Sequence, residues 1–149
     1  MPTLDGHHHL QTPHTTVAAA QASQVDGALA SLPSLLRPLA ARALRSSTFY
    51  CEDYRIVVSD TAFSVQCDAR ATLTRTWSGT DVPLVVEGKT LQSRVIREGG
   101  EVQLTLVGEN GSRTTRYSPR PSGIHVAVTV ESGHLDAPIR WAMEYGTVP

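Results

Sequence analysis

The chain has 149 residues, a formal net charge of −1 and a pI of about 6.6. That is one domain's worth of sequence, long enough to bury a real core. A charge so close to balance excludes the basic footprint of a nucleic-acid binder or of a protein held on an anionic membrane, and no apolar run reaches membrane-spanning length.

Residues 1–22 are mostly Thr, Ala, Gln and His with two prolines, and they show no periodic apolar face. They are expected to form a disordered tail, dispensable for folding. No Arg or Lys precedes Arg37 and there is no apolar leader segment, so the expected location is cytoplasmic. His7, His8 and His9, with His14 nearby, lack a carboxylate or cysteine at structural-site spacing, and no metal or other cofactor is expected.

Residues 23–47 read as helical. Leu29, Leu32, Leu36, Leu39, Ala43 and Leu44 recur at helical spacing, while Arg37, Arg42 and Arg45 fall outside that stripe. Ser23 and Asp26 are candidate N-caps. Pro33 and Pro38 interrupt the pattern, because proline removes a donor and clashes with the preceding turn. Two short helices are expected, breaking between Ser31 and Pro33. The leucine stripe is expected to dock as a lid or cap on the end of a barrel, so that Asp at Leu36 and Leu39 would be costly.

Nine strands follow: Asp53–Ser59, Ala62–Asp68, Ala71–Trp77, Val82–Glu87, Thr90–Arg97, Glu101–Val107, Ser112–Ser118, Gly123–Glu131 and Pro138–Tyr145. Turn residues separate them, at Ser78-Gly79-Thr80, Glu87-Gly88-Lys89, Gly99-Gly100 and Asn110-Gly111 among others. Asn-Gly is the dipeptide a type I′ hairpin favours, since both central residues need positive φ. Apolar residues alternate along nearly every strand, as in Ile124, Val126, Val128 and Val130, or Ile139, Trp141, Met143 and Tyr145. One buried face per strand and short connections predict a mainly β fold: an antiparallel up-and-down barrel of about nine strands, preceded by the helical segment. A barrel of that width is wide enough to leave a cavity. Residues 23–149 are expected to form this single domain. Cys51 and Cys67 are compatible with one disulfide without requiring it; with no leader in view, reduced thiols are expected.

From Gly88 to Tyr145 the order of short strands and glycine turns resembles the second half of the intracellular fatty-acid-binding proteins, which belong with the lipocalins to the calycin superfamily. The Asn110-Gly111 turn followed by Thr114-Thr115 is similar to that family's turn and Thr-Thr strand. Arg140 and Tyr145 in the closing strand resemble its Arg-and-Tyr ending. The resemblance implies a helix-lidded barrel, no enzymatic activity and a fatty acid or similar carboxylate as ligand. It implies ligand-binding roles for Arg116 and Arg140. The family's first strand, ahead of the helices, is not legible here.

Arg75 lies between Leu73 and Trp77 on one predicted apolar face. A guanidinium there needs a partner, and a carboxylate suits it by bidentate geometry. Arg116 and Arg140 have the polar parity of their strands, which conflicts with the inward role the resemblance gives them. Trp77, Tyr117, Trp141 and Tyr145 are candidates to line a cavity or simply to fill it. His125 and His134 are candidates for a haem ligand only in principle: the first has polar parity and the second sits in a turn. No nucleophilic triad or metal motif appears. The expected function is therefore binding of a small hydrophobic or amphipathic ligand inside the barrel. The competing reading is a packed, non-enzymatic interaction module, homodimeric through the strand edge that a missing first strand would leave open.

Overall fold

The computed structural model describes residues 2–45, 47–77, 80–86 and 88–149. Ten strands and two helices follow in the order β1 (Gly6–Leu10), α1 (His14–Ala30), α2 (Arg37–Arg45), β2 (Asp53–Val58), β3 (Ala62–Cys67), β4 (Leu73–Thr76), β5 (Val82–Val86), β6 (Lys89–Glu98), β7 (Glu101–Val107), β8 (Gly111–Arg120), β9 (Gly123–Ser132) and β10 (Ile139–Thr147). All strands lie in one antiparallel sheet of order β4-β3-β2-β1-β10-β9-β8-β7-β6-β5. The sheet curls around a core fed by every inward position of β9 and β10 and by Tyr54, Ile56, Phe63, Val65, Val102 and Leu104. Strict period-2 alternation puts those side chains on one face, and a curled sheet gives that face an inside.

The sheet's two ends, β4 and β5, are not paired with each other as strands. Arg75 links them instead. Its Nη2 donates to the Pro83 carbonyl on β5 at 3.3 Å, and its Nε donates to Ser93 Oγ on β6 at 2.6 Å. Ser93 is fully buried and donates in turn to the Val82 carbonyl. Arg75 thus satisfies acceptors at an open seam, and no carboxylate is among its described partners.

The expectation of a disordered tail over residues 1–22 is overturned. Residues 6–10 form β1, paired to β2 on one side and β10 on the other, and the chain enters α1 at His14. Leu4, His8, Leu10 and Val17 are buried. The segment GHHHL alternates like any strand, but its inward residue is a histidine, which hides the period. His8 is accepted inside because both ring nitrogens find partners, the Leu4 carbonyl at 2.8 Å and Thr147 Oγ1 at 3.2 Å. The strand edge expected to be open is therefore filled by β1, and the described residues form ten strands rather than about nine.

The helical segment also begins earlier than expected. Ser23 and Asp26 lie inside α1, whose N-cap is Pro13. The break falls where expected, after Ala30, and Pro38 occupies the second position of α2, where its missing donor costs nothing. The leucine stripe does not dock as expected. Leu44 is buried, but Leu35, Leu36 and Leu39 are 88, 49 and 67% exposed. The nine-residue α2 touches the core only through its last turn. Leu36→Asp and Leu39→Asp are accordingly expected to change the denaturation midpoint by no more than a typical surface substitution, within about 0.5 kcal/mol; a loss of several kcal/mol would show that the helix docks in solution.

The hairpin at Asn110 forms without the expected type I′ turn. Neither Asn110 nor Gly111 has positive φ. Gly111 opens β8 beside the Glu131 carbonyl, where a Cβ would sit 2.2 Å from that oxygen, so glycine is needed for close approach. The double-positive φ pattern belongs to Gly99 and Gly100, at +56° and +85°, between β6 and β7. The expected turns at Ser78-Gly79-Thr80 and Glu87-Gly88-Lys89 fall partly outside the described residues.

Cys51 and Cys67 form a disulfide, against the expectation of free thiols. The bridge ties the segment that returns from α2 to the end of β3. Closing a loop of this length restricts the unfolded chain by about 3 kcal/mol. Reduction, or Cys67→Ser, is expected to lower unfolding stability by roughly that amount; an unchanged urea midpoint would count against it.

Candidate functional site

β8 carries an inward row that sequence parity alone did not resolve: Arg113, Thr115 and Tyr117. Thr115 and Tyr117 are buried, and Arg113 is partly buried. Arg113 Nη1 donates to the carbonyls of Ser47 and Phe49, at 2.8 and 2.9 Å. Its guanidinium lies 3.9 Å from the centroid of Phe49 and 5.5 Å from that of Trp141. Loss of water around it lowers its pKa from the usual arginine value, yet a guanidinium remains charged throughout the ordinary pH range. No ion pair to it is found among the described residues.

Three tyrosines lie close enough to this cation to act on its charge. Tyr54 meets Tyr117 edge-on with centroids 5.5 Å apart, and meets Tyr145 at 5.0 Å. Burial raises the pKa of all three hydroxyls, most strongly for Tyr117 and Tyr145, so each stays neutral and able to donate. The Tyr145 hydroxyl donates to the Cys51 carbonyl. Trp141 is buried, and its indole Nε1 has no hydrogen-bond partner among the described residues. A cation, neutral hydroxyls and one unspent N–H thus share this part of the barrel, the types of group that can pair with an anion.

The structure brings Tyr117, Trp141 and Tyr145 to this site. It leaves four other candidates elsewhere. Arg75 is at the β4–β5 seam. Trp77 covers Phe63 at 5.9 Å and donates its indole N–H to the Ser59 carbonyl. Arg116 is exposed and donates to Gln103 Oε1, and Arg140 is exposed. The polar parity of Arg116 and Arg140 thus prevails over the inward role the resemblance gave them. Arg113 escaped sequence reading because Ser112–Ser118 shows no apolar alternation; the signal was its even spacing from Tyr117, four residues on. Two surface concavities, of about 140 and 400 Å³, lie at the β6–β7 turn end, and the larger is lined by Arg116, Glu98 and Glu101. Arg113 lines neither.

A second polar cluster occupies the outer face. His7 Nε2 and His9 Nδ1 both contact Asp53 Oδ1, at 2.8 and 3.0 Å. The hydrogen bonds from His9 and then His7 hold the Asp53 carboxyl below its usual value. A carboxyl depressed in the folded state contributes stability above its unfolded pKa and loses it as pH falls through the folded one. The stability difference between wild type and Asp53→Asn is therefore expected at pH 6 and should shrink as pH drops below about 4. A difference independent of pH would contradict this.

These features define a class of fold: a helix-capped, curled antiparallel β-sheet like that of the fatty-acid-binding proteins. Solved structures similar to the chain bear this out. The REP1-NXSQ fatty acid transporter matches with a TM-score of 0.56 and 10% identity, over 98% of this chain and 96% of its own. Fatty-acid-binding protein 1 of Echinococcus granulosus matches at 0.55 and 9%, over 97% of both chains. Secretory abundant heat soluble protein 4 of Ramazzottius varieornatus matches at 0.53 and 11%, over 100% of this chain and 97% of its own. No protein-family model and no curated protein matches the sequence. Identities this low carry the fold alone. Among the described residues, no helix is long and apolar enough to cross a membrane.

Proposed function

We propose that the protein is a non-enzymatic binder of a long-chain carboxylate, a fatty acid or a similar amphipathic molecule, with Arg113 as partner of the carboxylate. The observation that carries this reading is an inward guanidinium, unpaired by any described carboxylate, 5.5 Å from the ring centroid of Trp141, whose indole N–H is unspent among the described residues. Tyr117 and Tyr145 would line the same space, and apolar side chains would supply most of the affinity. Arg75, Trp77, Arg116 and Arg140 have no contact with the ligand in this reading. The test is displacement of a fluorescent fatty-acid analogue from delipidated protein by oleate. No displaceable binding across a diverse lipid panel would reject the proposal.

The expected cytoplasmic setting is opposed by the disulfide, because such bridges persist where glutathione does not reduce them. Counting free thiols in freshly extracted protein decides between them. A second reading, an interaction module that pairs with a second copy, is favoured by the exposed Leu35, Leu36 and Leu39. Light scattering that shows a strict monomer at high concentration would reject it.

A further inference from the structure

Phe49 lies between α2 and β2, in neither element, and is partly buried. The guanidinium carbon of Arg70 is 4.2 Å from its ring centroid, and that of Arg113 is 3.9 Å away. Both guanidinium groups therefore rest against the one ring. Arg70 is exposed in the turn after β3, whereas Arg113 faces inward. Neither takes part in an ion pair among the described residues. Each guanidinium stands about 4 Å from the centre of what it grips, which is the reach of an arginine to a carboxylate or sulfate given N–H···O separations of about 2.8 Å. The negative face of the ring thus stands where an anion would stand.

We propose that Phe49 occupies an anion slot formed by Arg70 and Arg113, and that the anionic head of a ligand displaces the ring. The slot itself requires only an anion; that the head belongs to a long-chain carboxylate rests on the function proposed above. A charge-assisted hydrogen bond is stronger than a contact with a ring face, so a carboxylate displaces the ring once it arrives. Arg70 meets it first, at the surface. Arg113 Nη1 keeps its bonds to the Ser47 and Phe49 carbonyls, and the ligand takes the remaining guanidinium N–H groups that the ring now covers. Trp141 Nε1 is a third donor on the inner side. The displacement also explains how a site filled with aromatic rings can admit a ligand: the group that leaves is on an irregular segment, not on the sheet.

The test is an NMR titration of isotopically labelled protein at constant ionic strength, first with sodium sulfate and then with sodium decanoate, following the Hε resonances of Arg70 and Arg113 and the Phe49 ring. In wild type the three sets are expected to shift together and saturate. In Phe49→Leu, which keeps bulk but lacks the π face, sulfate should saturate both arginines at a concentration tenfold lower or less. Arg70→Gln should remove the sulfate shift at Arg113. Decanoate that shifts Arg113 while Arg70 and Phe49 stay still overturns the slot and leaves the carboxylate-binding function standing. Sulfate that fills the slot in Phe49→Leu while no lipid binds either protein supports the slot and rejects that function. The absence of a saturable shift with either anion overturns the proposal. If Phe49→Leu fails to give a folded spectrum, the wild-type titration decides alone.

Discussion

Arg113→Gln is expected to weaken binding of long-chain carboxylates about 100-fold and to weaken binding of their methyl esters far less. Hydrogen bonds to a charged group contribute about 1.5–3 kcal/mol, and removing the charge leaves the carboxylate in an apolar shell without its counter-ion. The substitution also loosens the segment whose Ser47 and Phe49 carbonyls Arg113 holds, so some loss of thermal stability should accompany it. The two effects separate cleanly: loosening alone would weaken acid and ester alike, whereas loss of the anion partner weakens only the acid. Equal binding of acid and ester by wild type would remove Arg113 from the site. Arg116→Gln and Arg140→Gln should change neither, because both side chains are exposed on the outer surface.

Phe63→Ala should be among the most destabilising single truncations in the barrel, at about 3–5 kcal/mol in urea unfolding. Phe63 is fully buried and stacks on both Trp77, at 5.9 Å, and Tyr117, at 5.5 Å. Removing it leaves a void between strands that are far apart in the chain, where the curled sheet has little freedom to collapse. The same truncation at Phe49 should cost much less, because that ring is only partly buried and lies on irregular backbone. A loss below about 1 kcal/mol at Phe63 would mean that the ring is not packed between Trp77 and Tyr117 in solution.

Much of the barrel was legible from the chain. From β6 to β10 the strands fall within a few residues of their expected bounds, and the inward rows of β9 and β10 are those that alternation marks. The candidate site was legible in its aromatic half, Tyr117, Trp141 and Tyr145, and not in its charged half. A cation on a strand without apolar neighbours gives no parity signal, so Arg113 was silent while Arg75, set between Leu73 and Trp77, was conspicuous. Arg75 does share the inward face with them, but it bonds across the seam between β4 and β5.

The sequence by itself determined the β class, the antiparallel meander and the break between the helices, because alternation, turn residues and proline act within a few residues of one another. Only the tertiary structure decided that a histidine-rich segment is the first strand, that the cysteines pair, that Leu35, Leu36 and Leu39 of the helical segment stay outside, and that Arg113 faces inward. Each of these depends on partners distant in the chain. His8 is buried because the hydroxyl of Thr147, 139 residues away, bonds to its ring, and Arg113 is held by carbonyls 66 and 64 residues before it. Local periodicity can say which residues share a face; which side of that face becomes the inside, and what waits there to satisfy a polar group, is set when the sheet curls.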